Sequence, residues 1–197
     1  VFYGKRGDKV RIIAGKYRSA RIHSPGGRNV RPTSDRVREA IFSILGEDVV
    51  GVSVLDLFAG SGAMGLEALS RGANKAIFVE KSRKAASIIF RNIKDLGIEK
   101  KAFEVVICDS LDYLKKAFRK GNRYGLVFID PPYESSLGNE ALDFFDHSPL
   151  LEEGGMLVCE FKRGRALTIP NGISVFKEKV YGDSSVTFCR IREGSDE

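Results

Sequence analysis

The sequence predicts an α/β protein with a doubly wound, mostly parallel sheet. An antiparallel hairpin closes the C-terminal end, and a small basic β-hairpin/helix extension precedes the body. Three observations carry this prediction. Between residues 52 and 161 five apolar runs alternate with amphipathic stretches, and right-handed crossovers then place helices on both faces of one sheet. Beyond residue 172 the alternation stops, and two segments of period two meet at Gly182-Asp183, the pattern of a hairpin. The charge is also uneven. Eleven of the 32 lysines and arginines lie in residues 1–38 against Asp8 and Asp35, so this segment carries +9 of a net +6 and the rest carries −3.

Taken in order, "VRIIAGKYRSARIH" (10–23) reads as a short hairpin turning near Gly15-Lys16. "SPGGRN" (24–29) is composed of turn residues. "RPTSDRVREAIFSILG" (31–46) starts with Thr33, Ser34 and Asp35 as cap candidates. Val37, Ile41, Ile44 and Leu45 fall on one face, Arg36 and Arg38 on the other, and Gly46 stops the helix. "VSVLDLF" (52–58) is the first strand of the body, followed by a glycine loop and a helix ending at Arg71-Gly72. "KAIFVE" (75–80) is the second, after which Ser82 caps a helix with Ala85, Ile89, Ile93 and Leu96 on one face. "FEVVIC" (103–108) precedes a helix expected to bury Leu111, Leu114 and Phe118. "YGLVFID" (124–130), a helix over 137–147 and "GMLVCEF" (155–161) complete the alternation, and 173–181 with 184–191 form the hairpin.

Composition narrows the function classes. Hydrophobic content of 43% and charged content of 29% are those of a globular protein. No apolar run approaches the roughly 20 residues that span a bilayer, and no signal-peptide core opens the chain, so no membrane role is expected. Cys108, Cys159 and Cys189 are odd in number and set in apolar runs, reading as reduced core residues of a cytoplasmic protein. Two histidines and no Cys-x-x-Cys predict no metal site. The basic N-terminal segment is interleaved with Val10, Ile12, Ile13, Tyr17 and Ile22, so it should fold, and its charge predicts a polyanionic partner.

"LDLFAGSGAMG" (55–65) contains Gly60-x-Gly62-x-x-Gly65, formally the dinucleotide fingerprint. Asp56 argues against a dinucleotide, because its charge would oppose a pyrophosphate at the helix N-terminus. It suits a ligand carrying an ammonium or sulfonium group. S-Adenosylmethionine carries both, with a ribose diol for Glu80 and an adenine amine for Asp109. Asp56, Glu80 and Asp109 stand at three successive strand C-termini, where such sheets bind ligands, although each could instead cap a helix.

The fourth strand ends in "FIDPPYE" (128–134). An exocyclic amine on a nucleobase is a poor nucleophile whose lone pair is delocalised into the ring. Acceptors aimed at its two hydrogens stabilise the charge it gains as a methyl group arrives. The Asp130 carboxylate and Pro131 carbonyl can serve, with Pro131 and Pro132 holding the direction of that carbonyl and Tyr133 stacking on the base. A rigid turn with a surface tyrosine is the structural alternative.

"DLFAGSG" and "DPPY" resemble the donor loop and amino-methylating motif of S-adenosylmethionine-dependent methyltransferases. "RIIAGKYR" (11–18), "RPTSDRVREAIFSIL" (31–45), "DLFAGSGAMGLEALSRGA" (56–73) and "FIDPPY" together resemble the RsmD family of small-subunit rRNA guanine-N2 methyltransferases, over about residues 10–190. The resemblance implies a seven-stranded Rossmann-like methyltransferase sheet over 31–197, with 1–30 as a basic hairpin extension. It implies that Asp56, Ala59, Gly60 and Gly62 hold the donor's amino-acid portion, with Phe58 and Lys81 also binding the donor. Glu80 would lie at its ribose, Asp109 and Ser110 by its adenine, and Thr33 at its carboxylate. Asp130, Pro131, Pro132 and Tyr133 would receive a guanine amine of 16S rRNA in an assembling 30S subunit, the enzyme acting as a monomer. On the N-terminal segment, Arg11, Lys16, Arg18, Arg21, Arg31, Arg36 and Arg38 can neutralise phosphates and Tyr17 can stack. Such contacts position RNA without reading its sequence. Adenine-N6 methylation of DNA or RNA, and a catalytically silent RNA-binding module, remain open alternatives.

Overall fold

The computed structural model describes residues 10–24, 35–132, 135–164 and 167–192. Two short antiparallel strands, β1 (Val10–Arg11) and β2 (Arg21–Ile22), pair with Val10 opposite Ile22. Helix α1 spans Asp35–Leu45, and Gly46 at φ +52° ends it in a short 3-10 turn. The body continues with β3 (Ser53–Asp56), α2 (Ala63–Ser70), β4 (Lys75–Val79), α3 (Arg83–Asp95) and β5 (Phe103–Val106). It ends with α4 (Ser110–Arg119), β6 (Tyr124–Ile129), α5 (Leu137–Asp146), β7 (Leu151–Lys162), β8 (Ile173–Tyr181) and β9 (Ser184–Ile191).

Seven strands form one sheet in the order β5-β4-β3-β6-β7-β9-β8, parallel from β5 through β7, with β9 antiparallel to both β7 and β8. The order reverses between β3 and β6, so a crevice opens there beyond their C-terminal ends. Two cores flank the sheet. One contains α1, α2 and α3 with the hairpin residues Val10, Ile12 and Ile22, and the other contains α4 and α5.

Helix α2 is buried at every residue, including Glu67 and Ser70. The sheet covers one side, and the hairpin covers the other. The turn at Gly15 lies so close that an added Cβ would fall 1.8 Å from the Ser70 carbonyl oxygen. On its inner side, a Cβ at Gly65 would meet the Phe78 ring at 2.4 Å. Helix α4 differs from its expected orientation. It buries Tyr113, Leu114 and Ala117, while Phe118 is exposed and meets Phe144 of α5 edge-on at 6.4 Å. The hydroxyl of Tyr113 is satisfied inside by that of Tyr124 at 2.8 Å, which lets a tyrosine take the inward position.

Candidate active site

The crevice is assembled from the ends of four neighbouring strands. Asp56 closes β3 in register with Phe78 of β4 and Phe128 of β6. The next residues stitch the strand ends together. Leu57 N–H donates to the Phe128 carbonyl, Ala59 N–H to that of Val79, and Glu80 N–H to that of Val106. The glycine loop after β3 therefore lies beside the Asp130-Pro131 step after β6.

Gly60 and Gly62 adopt φ +53° and +79°, left-handed conformations that carry the chain tightly into α2. Among the described residues, a Cβ at Gly60 would meet nothing within 4 Å, so the loop's outer side has room for a ligand. Glu80 fastens this loop, accepting from Gly60 N–H at 2.9 Å with one oxygen and from Ser82 N–H at 2.7 Å with the other. Each oxygen keeps a second lone pair, suited to a diol. Asp56 is buried and accepts from Gly65 N–H in the first turn of α2 at 3.1 Å. Burial pushes its carboxyl up to about 7, with Glu80 adding to the rise and the Gly65 bond opposing it. Among the described residues it has no cationic partner.

At the next strand end, Asp109 caps α4 through Leu111 N–H at 3.0 Å and pairs with Lys81 at 3.3 Å. The helix cap that the sequence offered as the alternative for Asp109 is thus formed through Oδ1, while Oδ2 meets Lys81. Ser110 is buried beside it, and its hydroxyl has no hydrogen-bond partner among the described residues. After β6, Pro131 is buried. A Cβ on Gly138 of α5 would fall 3.0 Å from the Pro131 ring and 2.8 Å from Phe161, so α5 holds the proline because that position is glycine. The Pro132 carbonyl is engaged by Ser135, through its N–H at 3.0 Å and its hydroxyl at 2.8 Å. Phe58 and Ala59 line the start of the glycine loop, half-buried and buried respectively. Thr33 and Tyr133 lie outside the described residues.

Of the proposed RNA-contacting residues, Arg11, Lys16, Arg18, Arg21 and Arg36 are exposed. Arg11 is also paired with Asp35 at 3.3 Å. Tyr17 is half-buried against the core, its N–H bonded to the Ser70 hydroxyl, with the Lys16 ammonium 5.3 Å from its ring centre. Arg31 lies outside the described residues. Arg38 is a correction: it is 0% exposed. Its guanidinium donates to the Arg11 carbonyl and to Asp35, and sits 3.8 Å from the buried Glu67. Helix α1 turns Arg38 inward because Glu67 waits there, and it cannot reach a phosphate.

Glu67 and Asn92 escaped the sequence analysis. Glu67 accepts from Ile13 and Ala14 N–H at 2.8 and 3.1 Å and from Arg71 at 2.7 Å. Asn92, buried in α3, accepts from His23 N–H at 2.7 Å and donates to the carbonyls of His23 and Ser61. One amide thus joins the hairpin to the glycine loop. Their signal was a polar residue set among apolar ones, in "AMGLEALS" and beside Ile89 and Ile93.

A family model described as conserved hypothetical protein 95 matches residues 10–190. The ribosomal RNA small subunit methyltransferase D of Escherichia coli K12 is 34% identical over 88% of this chain and 86% of its own. The solved structure of a hypothetical protein of Thermus thermophilus superposes with a TM-score of 0.77 at 32% identity, covering 91% of this chain and 98% of that one. The S-adenosylmethionine-dependent methyltransferase from Agrobacterium tumefaciens, at 19% identity and a TM-score of 0.61, shares the fold, covering 83% of this chain and 63% of its own.

Proposed function

The chain belongs to the family described as conserved hypothetical protein 95, and from that premise we propose that it methylates the N2 amine of a guanine in 16S rRNA. The methyl donor in this reading is S-adenosylmethionine. The observation that carries the proposal is the juxtaposition of two strand ends: the Asp130-Pro131 step lies register-adjacent to the glycine loop at the switch point.

The residues present fit such a donor. Asp56 is a buried carboxylate without a cationic partner among the described residues, and an ammonium or sulfonium group nearby would compensate its burial. Glu80 offers its remaining lone pairs to a ribose diol, with Lys81 beside it. Asp109 and the Ser110 hydroxyl face the adenine. Phe58, Ala59, Gly60 and Gly62 cradle the amino-acid portion, with Thr33 at its carboxylate. The donor supplies, when bound, a methyl group activated by its sulfonium.

The chain's own contribution is to the amine. Asp130 and the Pro131 carbonyl accept its two hydrogens and stabilise the positive charge that grows as the nitrogen becomes tetrahedral. Packing of Pro131 near Gly138 and Phe161 fixes its position before the reaction, and Tyr133 sets the plane of the base. No strong general base is needed, since the proton is acidic once the nitrogen is alkylated. A guanine N2 lies in the minor groove of a duplex, so the target is unpaired or flipped out at a cost of a few kcal/mol. The reading places the protein in the cytoplasm, as a monomer acting on an assembling 30S particle.

Labelled S-adenosylmethionine, incubated with naked 16S rRNA, unmodified 30S particles and DNA, tests this. Label is expected in N2-methylguanosine, and label in N6-methyladenosine would overturn the substrate. Asp130→Ala should abolish transfer while donor binding measured by calorimetry survives. Normal turnover by that variant would remove Asp130 from the mechanism.

A further inference from the structure

The hairpin and α3 lie on the same side of the sheet, joined at the C-terminal end of the helix. His23 shares two backbone hydrogen bonds with Asn92, and its ring nitrogen lies 3.0 Å from Asp95. The N-terminal end of α3 begins at Ser82, whose N–H is held by Glu80. Helix α3, about 20 Å long, therefore runs from the basic hairpin to the rim of the crevice.

Its solvent face has an unusual composition. Arg83, Ser87, Phe90 and Lys94 follow one another at helical spacing, with Lys84 and Arg91 on the adjoining row, and all are exposed. Phe90 is 46% exposed. Among the described residues it makes no ring contact, unlike the exposed Phe118 and Phe176, which are met by Phe144 and by Phe188 with Arg190. Arg83, Lys84 and Lys94 have no ion-pair partner among the described residues. Arg91 has only Asp95, at 3.8 Å, which His23 shares. On the opposite side of the sheet, α4 meets α5 through Phe118 and Phe144, its Lys115 pairs with Asp112 of the same helix, and α5 carries Glu140, Asp143 and Asp146.

Resting on the function proposed above, we propose that this face of α3 is a second RNA-contact surface, continuous with the hairpin, where cations hold phosphates and Phe90 stacks on an unpaired base. Aromatic stacking amid cations is how single-stranded RNA is held without sequence readout. A single exposed phenylalanine is ordinary on a protein surface. One that shares its helix face with four cations, on a helix leading to the crevice, fits a polyanion with exposed rings. The surface extends the binding track beyond the hairpin and guides the strand toward the amine-accepting site.

The test uses the full chain and 16S rRNA, with binding and methyl transfer measured separately at several salt concentrations. Arg91→Glu/Lys94→Glu should raise the RNA KM at least ten-fold and flatten the salt dependence by roughly 0.7–0.9 log units of K per log unit of salt for each phosphate no longer neutralised. Phe90→Ala should weaken binding about five-fold or more at every salt concentration, since stacking does not release counterions. Arg119→Glu/Lys120→Glu at the C-terminal end of α4 should change neither quantity. Thermal unfolding and affinity for S-adenosylmethionine should match the unaltered protein in all three. An α3 double variant with unaltered KM and salt slope would overturn the surface, as would an equal loss from the α4 variant. If binding depends on α3 while the unaltered protein transfers no methyl group to RNA, the surface stands and the methylation reading falls.

Discussion

Asp56 joins a structural hydrogen bond to a titration inside the fold. Its carboxylate accepts a first-turn N–H of α2, yet burial raises its pKa from 3.8 to about 7. Between those values the folded chain holds a proton that the unfolded chain has already lost. The stabilising contribution of the neutral form is therefore full below about pH 4 and is lost as pH rises toward 7. Asp56→Asn keeps the acceptor for Gly65 and removes the titration. Relative to the unaltered protein, this variant should gain stability from pH 5 to about 7 and then level off, a gain of about 3 kcal/mol by pH 8. Urea denaturation of both proteins at pH 5, 6.5 and 8 checks this, and parallel pH profiles would refute it.

At the scale of elements, the instructive pair is the hairpin and α2. Most strands and helices were legible as periodic patterns, and the terminal hairpin 173–181 and 184–191 matches β8 and β9. The acids at the strand ends were legible too, because a doubly wound sheet puts every such end on one rim. Periodicity failed where burial comes from a partner distant in sequence. Arg38 looked solvent-facing because nothing nearby in the chain announces Glu67, and Phe118 looked buried because the Tyr113–Tyr124 hydroxyl pair is not local. Glu67 is the joint between hairpin and helix, receiving two hairpin N–H groups and standing beside two guanidinium groups. Glu67→Ala would leave the buried Arg38 with Asp35 and the Arg11 carbonyl but without its buried carboxylate, at an expected cost of about 3–5 kcal/mol. Chemical denaturation should show this loss, and a change below about 1 kcal/mol would mean that the joint is not carried by Glu67.

For the whole molecule, the question is whether the basic segment is an appendage or part of the body. Its charge marks it as distinct, and the family resemblance implies 1–30 as an extension of the body. The contacts of the described residues 10–24 reach into that body. Val10, Ile12 and Ile22 belong to the same core as α1, α2 and α3, and Gly15 is pressed against Ser70. Asn92 ties His23 to the Ser61 carbonyl of the glycine loop. Removing residues 1–24 would uncover the outer side of α2, leave the buried Glu67, Ser70 and Asn92 without their hairpin partners, and release the loop from the other side. Each such loss costs about 1–3 kcal/mol, against a typical total stability of about 5–15 kcal/mol. The shortened chain should therefore unfold at much lower denaturant concentration and lose affinity for S-adenosylmethionine as well as for RNA. Circular dichroism with donor titration decides it. A separable arm would cost RNA binding alone and leave both the unfolding transition and donor affinity where they were. The observed contacts predict that all three fall together, because the hairpin proposed to contact RNA is also the outer wall of the core that carries the glycine loop.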